Sequence, residues 1–174
     1  YLSVKNFYMN KQRICIIGDG LSGLMSAIAI NRLPGIEVNL ISKKISKNLD
    51  KRTTAISDRN YTFLKENVNS LNHKLFWPSK NIKLFYENGK DKINFLNLTE
   101  KDNNLMYVFE NDKIKNALLK EIIKKKIKIL RKEITNLDKL KRYDLIILCL
   151  GGTSKIYEKI AKVRSITKDY KEVA

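Results

Sequence analysis

RICIIGDGLSGLMSAIAINRLPGIEVNLISKK, residues 13–44, reads as strand, glycine turn, helix and second strand. The apolar run Ile14, Cys15, Ile16, Ile17 has the content of a buried strand. Gly18, Gly20 and Gly23 follow in G-x-G-x-x-G spacing, and the apolar segment 21–33 reads as a helix. A strand before and a helix after separate a dinucleotide fingerprint from a chance glycine match. Each glycine has its own expected role. Gly18 turns the chain out of the strand, Gly20 leaves room for backbone to approach a pyrophosphate, and Gly23 lets the helix lie close on the strand. Ala27, one turn later on the same face, serves that packing. Asp19, Leu21 and Ser22 complete the loop. The free N–H groups and positive dipole end of the helix starting near Leu21 are expected to hold phosphates. The alternative is a glycine-rich turn in an α/β core that holds no ligand.

Leu33-Pro34-Gly35 is a helix stop and turn, and residues 37–41 read as the second parallel strand. Dinucleotide folds place an acid near the end of this strand, about 20 residues past the glycines, where it takes the ribose hydroxyls. Here Ser42, Lys43 and Lys44 stand at that point. Ser42 can offer one hydroxyl contact and the lysines tolerate phosphate.

The chain has 174 residues with 35 basic and 18 acidic side chains, a formal charge of +17. Such a balance fits a nucleic acid, an anionic membrane surface or a lysine-rich solvated face. The lysines are dispersed, their one tight run (124–126) ends a helical pattern, and no recognised nucleic-acid module accompanies them, so nucleic acid is not expected. Cys15 and Cys149 are the only cysteines, both inside apolar runs read as central strands. They are expected to be buried thiols in a reducing compartment, and their spacing gives no support to redox or metal chemistry. His73, the only histidine, lies in a polar stretch and reads as a surface residue. No run approaches a membrane span and no signal peptide is read, which gives a cytoplasmic expectation. The start at Tyr1 rather than Met gives the further expectation of a fragment.

Further along, a helix is expected over 54–67, preceded by Arg52, whose guanidinium can reach phosphate or a ring system or instead pair with Asp50 or Asp58. Runs 82–87 and 93–98 joined by Asn88-Gly89 predict a hairpin, and 105–109 a third strand of the same small antiparallel sheet. Asn111 is placed as the cap of a helix over 112–126, with Asp112 and the terminal lysines suiting its dipole. Short strands are expected at 127–130 and 133–137, then a strand buried on both faces at 143–150 that runs into Gly151. The fold class expected is α/β: a Rossmann-like dinucleotide-binding fold with a parallel central sheet and a small inserted antiparallel sheet at about 82–109. Strand ends at Gly18 and Gly151 would flank one ligand crevice.

Four pieces together resemble the flavin-dependent aromatic hydroxylases, the class A flavoprotein monooxygenases, and most closely the ubiquinone-biosynthesis hydroxylases of the 2-octaprenyl-6-methoxyphenol hydroxylase type. The glycine motif with Ala27 resembles their FAD fingerprint. Asp50-Lys51-Arg52-Thr53-Thr54-Ala55-Ile56-Ser57 is similar to their D-x-R-x-x-A-L-S stretch, Tyr107-Val108-Phe109-Glu110-Asn111 to Y-V-x-E-N, and residues 143–157 to a strand followed by A-D-G-x-x-S. Residues 169–174 resemble the start of the substrate-binding sheet. Departures are Ser42 in place of an acid, Asp112 where a basic residue is common, and Leu150 in place of the aspartate of A-D-G.

The resemblance implies an N-terminal portion: a lead at 1–12, an incomplete FAD-binding domain at 13–160 and the beginning of a substrate-binding domain at 161–174. It implies FAD as cofactor, NAD(P)H as electron donor, and hydroxylation of a prenylated phenol. The cofactor contacts implied are Gly18, Asp19, Gly20, Leu21, Ser22 and Gly23 at the pyrophosphate, Ser42 and Lys43 at the ribose, Arg52 and Thr53 by the flavin or its phosphates, and Gly151 at the crevice edge. No acid–base pair is nominated. Partners implied are other ubiquinone-biosynthesis proteins and, through the +17 charge, an anionic membrane surface on the inner face. An NAD(P)-dependent dehydrogenase or dinucleotide-binding module, and a non-catalytic remnant of the fold, are the alternatives.

Overall fold

The structure, a computed structural model, describes residues 11–43, 50–151 and 156. The expected substrate-domain start at 161–174, most of the lead at 1–12, Lys44 and the loop 152–154 lie outside the described residues. In chain order the elements are β1 (Gln12–Ile17), α1 (Leu21–Ile30), β2 (Ile36–Ser42), β3 (Thr53–Ser57), α2 (Asp58–Asn67), β4 (Trp77–Ser79), β5 (Asn81–Glu87), β6 (Lys92–Thr99), β7 (Met106–Glu110), α3 (Asn111–Lys124), β8 (Lys128–Arg131) and β9 (Leu145–Leu148).

The opening stretch forms the β1–α1–β2 unit, and its strands pair in parallel with Ile14 opposite Val38 and Ile16 opposite Leu40. The full parallel sheet runs β8-β2-β1-β9. Alternation along β1 divides the interior in two, as the period of a strand requires. Ile14 and Ile16 face α1 and α3, packing with Leu24, Ile28, Leu118 and Ile122 in the larger core. Cys15, Ile17 and Ile41 face the other way, against Leu140, Tyr143 and Ile156.

Between β2 and β8 the chain makes two antiparallel sheets, β3-β7-β4 and the β5-β6 hairpin. The expected α/β class holds, with this correction: the strand read at 105–109 does not extend the hairpin but becomes β7, the centre of a separate sheet. Its ring-rich sequence decides this. Tyr107 stacks on Tyr61 at 3.8 Å between centroids, and Phe109 meets Phe76 at 5.4 Å, so β7 is tied to α2 and to the segment before β4. The hairpin turn at Asn88-Gly89 is as read, with Gly89 at φ +83°, where a side chain would be strained. Cross-strand pairs Ile82–Leu98, Leu84–Leu96 and Tyr86–Ile93 put these six residues on one face of the ribbon, while Phe85, opposite Asn94, lies on the other.

Other expectations shift for local reasons. The helix read over 54–67 starts only at Asp58, because Thr53 to Ser57, rich in β-branched residues, pair with β7. Ser57 then caps α2 by accepting from the Asn60 N–H at 3.4 Å. Helix α1 stops at Ile30, three residues before the expected end, where Arg32 and Leu33 close a tighter turn on the carbonyls of Ala29 and Ile30. Asn111 does not cap α3 with its side chain; its carboxamide oxygen accepts from Thr54 Oγ1 at 2.6 Å and its nitrogen donates to Asp50 at 3.1 Å. The strand expected at 133–137 is absent among the described residues. Asn136 accepts from the Asp138 N–H at 2.9 Å instead and starts a short 3-10 turn, the usual competition of such side chains with strand pairing.

The final apolar run is also corrected. Among the described residues only Leu145–Leu148 pairs, with β1, which leaves β9 at the edge of the described sheet with Leu145 51% exposed. An apolar run reports a hydrophobic surrounding but not a neighbour on each side. No described helix is long and apolar enough to cross a membrane.

Candidate functional site

The chain order of the parallel sheet creates the site. From β1 the chain moves outward to β2 and, after the antiparallel insertion, to β8; it then returns to place β9 on the opposite side of β1. The carboxyl end of β1 is therefore the switch point where an open α/β sheet leaves a crevice. A cleft of about 810 Å³ opens there, lined by Gly18, Asp19 and Gly20 after β1, Ser42 and Lys43 after β2, the segment after β8, and Leu150 and Gly151 after β9.

The three motif glycines act in different ways. Gly18 has φ +114°, its N–H donates to the Ile41 carbonyl at 2.8 Å, and an added Cβ would lie 2.1 Å from the Cys149 oxygen. Gly23 is buried in α1, and a Cβ there would lie 2.0 Å from the Gly18 oxygen. These two bring the loop, the helix and β9 together. Gly20 differs: an added Cβ would meet nothing within 4 Å, and its φ of −68° suits any residue. An exposed, side-chain-free residue at the start of α1 and facing a cleft is where backbone can approach a bound phosphate. The donor set thus fits the pyrophosphate of a dinucleotide such as FAD.

Of the residues expected to contact the cofactor, Gly18, Asp19, Gly20, Ser42, Lys43 and Gly151 line this cleft, while Leu21, Ser22, Gly23, Arg52 and Thr53 do not. Ser42 is buried; its hydroxyl donates to the Lys43 carbonyl at 3.1 Å and accepts from Arg131. Arg131, at the end of β8, was not singled out from the sequence. Its Nη1 donates to Asp19 at 3.0 Å as well as to Ser42, joining the glycine loop to the ends of β2 and β8. Only the pairing of Ser42 with Arg131 in the β2–β8 register brings it there, and no sequence spacing reports that. Lys43 pairs with Glu133 at 2.5 Å, so Lys43 and Arg131 each have a carboxylate partner.

Arg52 lies directly before β3 with its side chain 81% exposed, paired in two-point fashion to Asp50 at 2.7 and 2.8 Å. Hydrogen bonding from Arg52, then from Asn111, holds the Asp50 carboxyl well below the usual carboxylate range. The D-x-R and Y-V-x-E-N stretches are thus parts of one hydrogen-bonded brace. The Asp50 backbone N–H adds a bond to Asp112 at 2.9 Å.

Cys15 is fully buried in β1, and burial pushes its thiol up to about 11. Cys149 is half-buried and its thiol is raised for the same reason. A thiol reacts as its thiolate. Cys15 is accordingly expected to resist iodoacetamide at pH 8 in the native chain and to label fully in urea, with peptide mass spectrometry as the readout; rapid native labelling would contradict its burial. Because folding holds the neutral form, its contribution to stability is present below the unfolded thiol's value and declines as pH rises above about 9. Among the described residues no cluster of His, Cys, Asp or Glu stands ready for a metal ion.

No protein-family model matches the chain, and no curated protein matches its sequence. Solved structures do match. A p-nitrophenol 4-monooxygenase, PnpA from Pseudomonas putida DLL-E4, is similar over 69% of this chain and 32% of its own, with 14% identity and a TM-score of 0.54. A 2-methyl-3-hydroxypyridine-5-carboxylic acid oxygenase, solved as its Y270A mutant, is similar over 70% and 31%, with 15% identity and a TM-score of 0.54. FqzB in its native form gives 70% and 28%, 15% identity and a TM-score of 0.55. The likeness defines the fold class: a Rossmann-like FAD-binding fold with a parallel central sheet and small antiparallel sheets, shared with these solved structures. The chain spans less than a third of each of these three proteins.

Proposed function

We propose that the chain is the FAD-binding portion of a flavoprotein monooxygenase that hydroxylates a small aromatic, phenolic compound with NAD(P)H as electron donor. The observation that carries this reading is the open backbone at Gly20, facing a cleft at the sheet's switch point in a fold shared with aromatic-ring oxygenases. Bound FAD would supply the redox and oxygen chemistry. The chain's own residues would position it. Gly18, Gly20 and Gly23 with the N-terminus of α1 would receive the pyrophosphate, flanked by Asp19, Leu21 and Ser22. Lys43 would border the ribose, Ser42 would hold Arg131 in place, and Gly151 would form the far rim. Arg52, on the brace with Asp50 and Asn111, and Thr53 next to it would stand on the side of the flavin or its phosphates.

A finer reading rests on motif resemblance alone: a prenylated phenol of ubiquinone biosynthesis as substrate, with docking on the inner membrane face through the basic surface. The same resemblance supports 13–160 as the FAD domain and 161–174 as the beginning of a substrate-binding domain. One observation favours a second reading. Ser42 and Arg131 in place of an acid are the kind of residues that accommodate a 2′-phosphate, which suits an NADP-type module.

Reconstitution separates the two. After incubation with excess FAD and desalting, the chain is expected to remain yellow at close to one flavin per chain and to retain no nicotinamide nucleotide. Colourless protein that retains NADP(H) would establish the second reading instead.

A further inference from the structure

The acid that dinucleotide folds place at the end of the second strand is Ser42 here, yet a carboxylate still stands at the mouth of the same cleft. Asp19, in the glycine loop, receives one hydrogen bond from Arg131 Nη1 through Oδ2 at 3.0 Å, and the same nitrogen donates to Ser42. One guanidinium nitrogen therefore separates the Asp19 carboxylate from the strand end that lacks its acid. The Asp19 side chain is 23% exposed, lines the cleft, and among the described residues its Oδ1 has no hydrogen-bond partner. Ser42 is in the reverse position, buried with its hydroxyl already donating to Lys43 and accepting from Arg131.

From this geometry, and resting on the FAD reading above, we infer that Asp19 replaces the missing strand-end acid: its free carboxylate oxygen accepts the 2′-hydroxyl of the cofactor's adenosine ribose, and Arg131 is the positioning residue that aims it. Three features support it. A carboxylate beside a bound pyrophosphate repels it unless a cation offsets the charge, and Arg131 is that cation. The guanidinium holds Oδ2, and among the described residues Oδ1 of this cleft-lining side chain carries no hydrogen bond. Buried Ser42 fixes the guanidinium from the opposite side, which gives the serine a reason to stand where a strand-end carboxylate would crowd Asp19.

The test titrates the chain with FAD and with FAD lacking the adenosine 2′-hydroxyl, following flavin fluorescence. Wild type is expected to bind the deoxy form about tenfold more weakly, the loss typical of one hydrogen bond to a charged group. Asp19→Asn is expected to bind FAD about tenfold more weakly and to lose the discrimination, and Asp19→Asn with Ser42→Asp to regain part of both. A wild-type chain that binds both forms equally, or an Asp19→Asn chain that still discriminates as wild type does, overturns the assignment while leaving FAD binding intact. The first arm needs no variant, so a folding defect cannot obscure it. A wild-type chain that binds neither form overturns the FAD reading and this assignment together.

Discussion

Gly20→Val is expected to leave the fold standing and to remove FAD binding. The position has an extended backbone and open space around a new Cβ, so the unliganded chain should lose about 1 kcal/mol or less, the scale of a poorer residue at a helix N-cap. The same open space is where a pyrophosphate would approach the backbone, and an isopropyl group would fill it. Affinity for FAD should fall by about 100-fold or more, which is about 2.7 kcal/mol. Thermal melts with and without FAD read both quantities at once. Wild type should gain about 2.7 kcal/mol at a hundredfold excess over its dissociation constant, and the variant should gain almost nothing. A variant that melts like wild type and is still stabilised by FAD would place the cofactor elsewhere.

Gly18→Ala is the opposite case. An added Cβ would sit 2.1 Å from the Cys149 oxygen and 2.7 Å from its carbonyl carbon, both backbone atoms that no rotamer change can move. The φ of +114° adds strain of about 1–2 kcal/mol for any side chain. To admit the methyl, β9 must separate from the end of β1, which breaks the Cys149 N–H bond to the Ile17 carbonyl at 2.8 Å. A loss above about 4 kcal/mol is expected, a large share of an ordinary domain's stability. Urea denaturation measures it; a loss below about 1 kcal/mol would mean that the glycine loop and β9 are not packed as described. Two glycines two residues apart should thus fail by different routes, one through binding and one through folding.

The β1–α1–β2 unit was legible in the sequence because every level agreed. The apolar run of β1, the glycine spacing and the apolar helix each point to the same geometry, and that geometry is what forms. The hairpin was legible because Asn88-Gly89 is a local signal whose outcome depends on its own backbone. Partnership across long separations was not. Residues 105–109 form a strand as expected, but its neighbours are Thr53–Ser57 and Trp77–Ser79, and aromatic packing of Tyr61, Phe76 and Tyr107 selects them. Likewise Asn111 has the character of a cap, and only the approach of Thr54 and Asp50, some 60 residues away, draws its side chain elsewhere.

The site follows the same division. Gly18, Asp19 and Gly20 share one loop, and the rule about strand ends brings Ser42, Lys43 and Gly151 to the same cleft. Arg131 was out of reach because its place depends on the register of β8 against β2. The sequence allows Arg52 two uses, reaching a cofactor or pairing with an aspartate such as Asp50. The pairing is what the structure shows.

Amide chemical shifts during a titration of the isotopically labelled chain with FAD test the central claim most directly. The expected result is a saturable response concentrated at Gly18, Asp19, Gly20, Lys43 and Gly151, with the β5–β6 hairpin unmoved. No response, or one confined to the hairpin or to the Asp50–Asn111 brace, would contradict a cofactor site at the carboxyl end of β1.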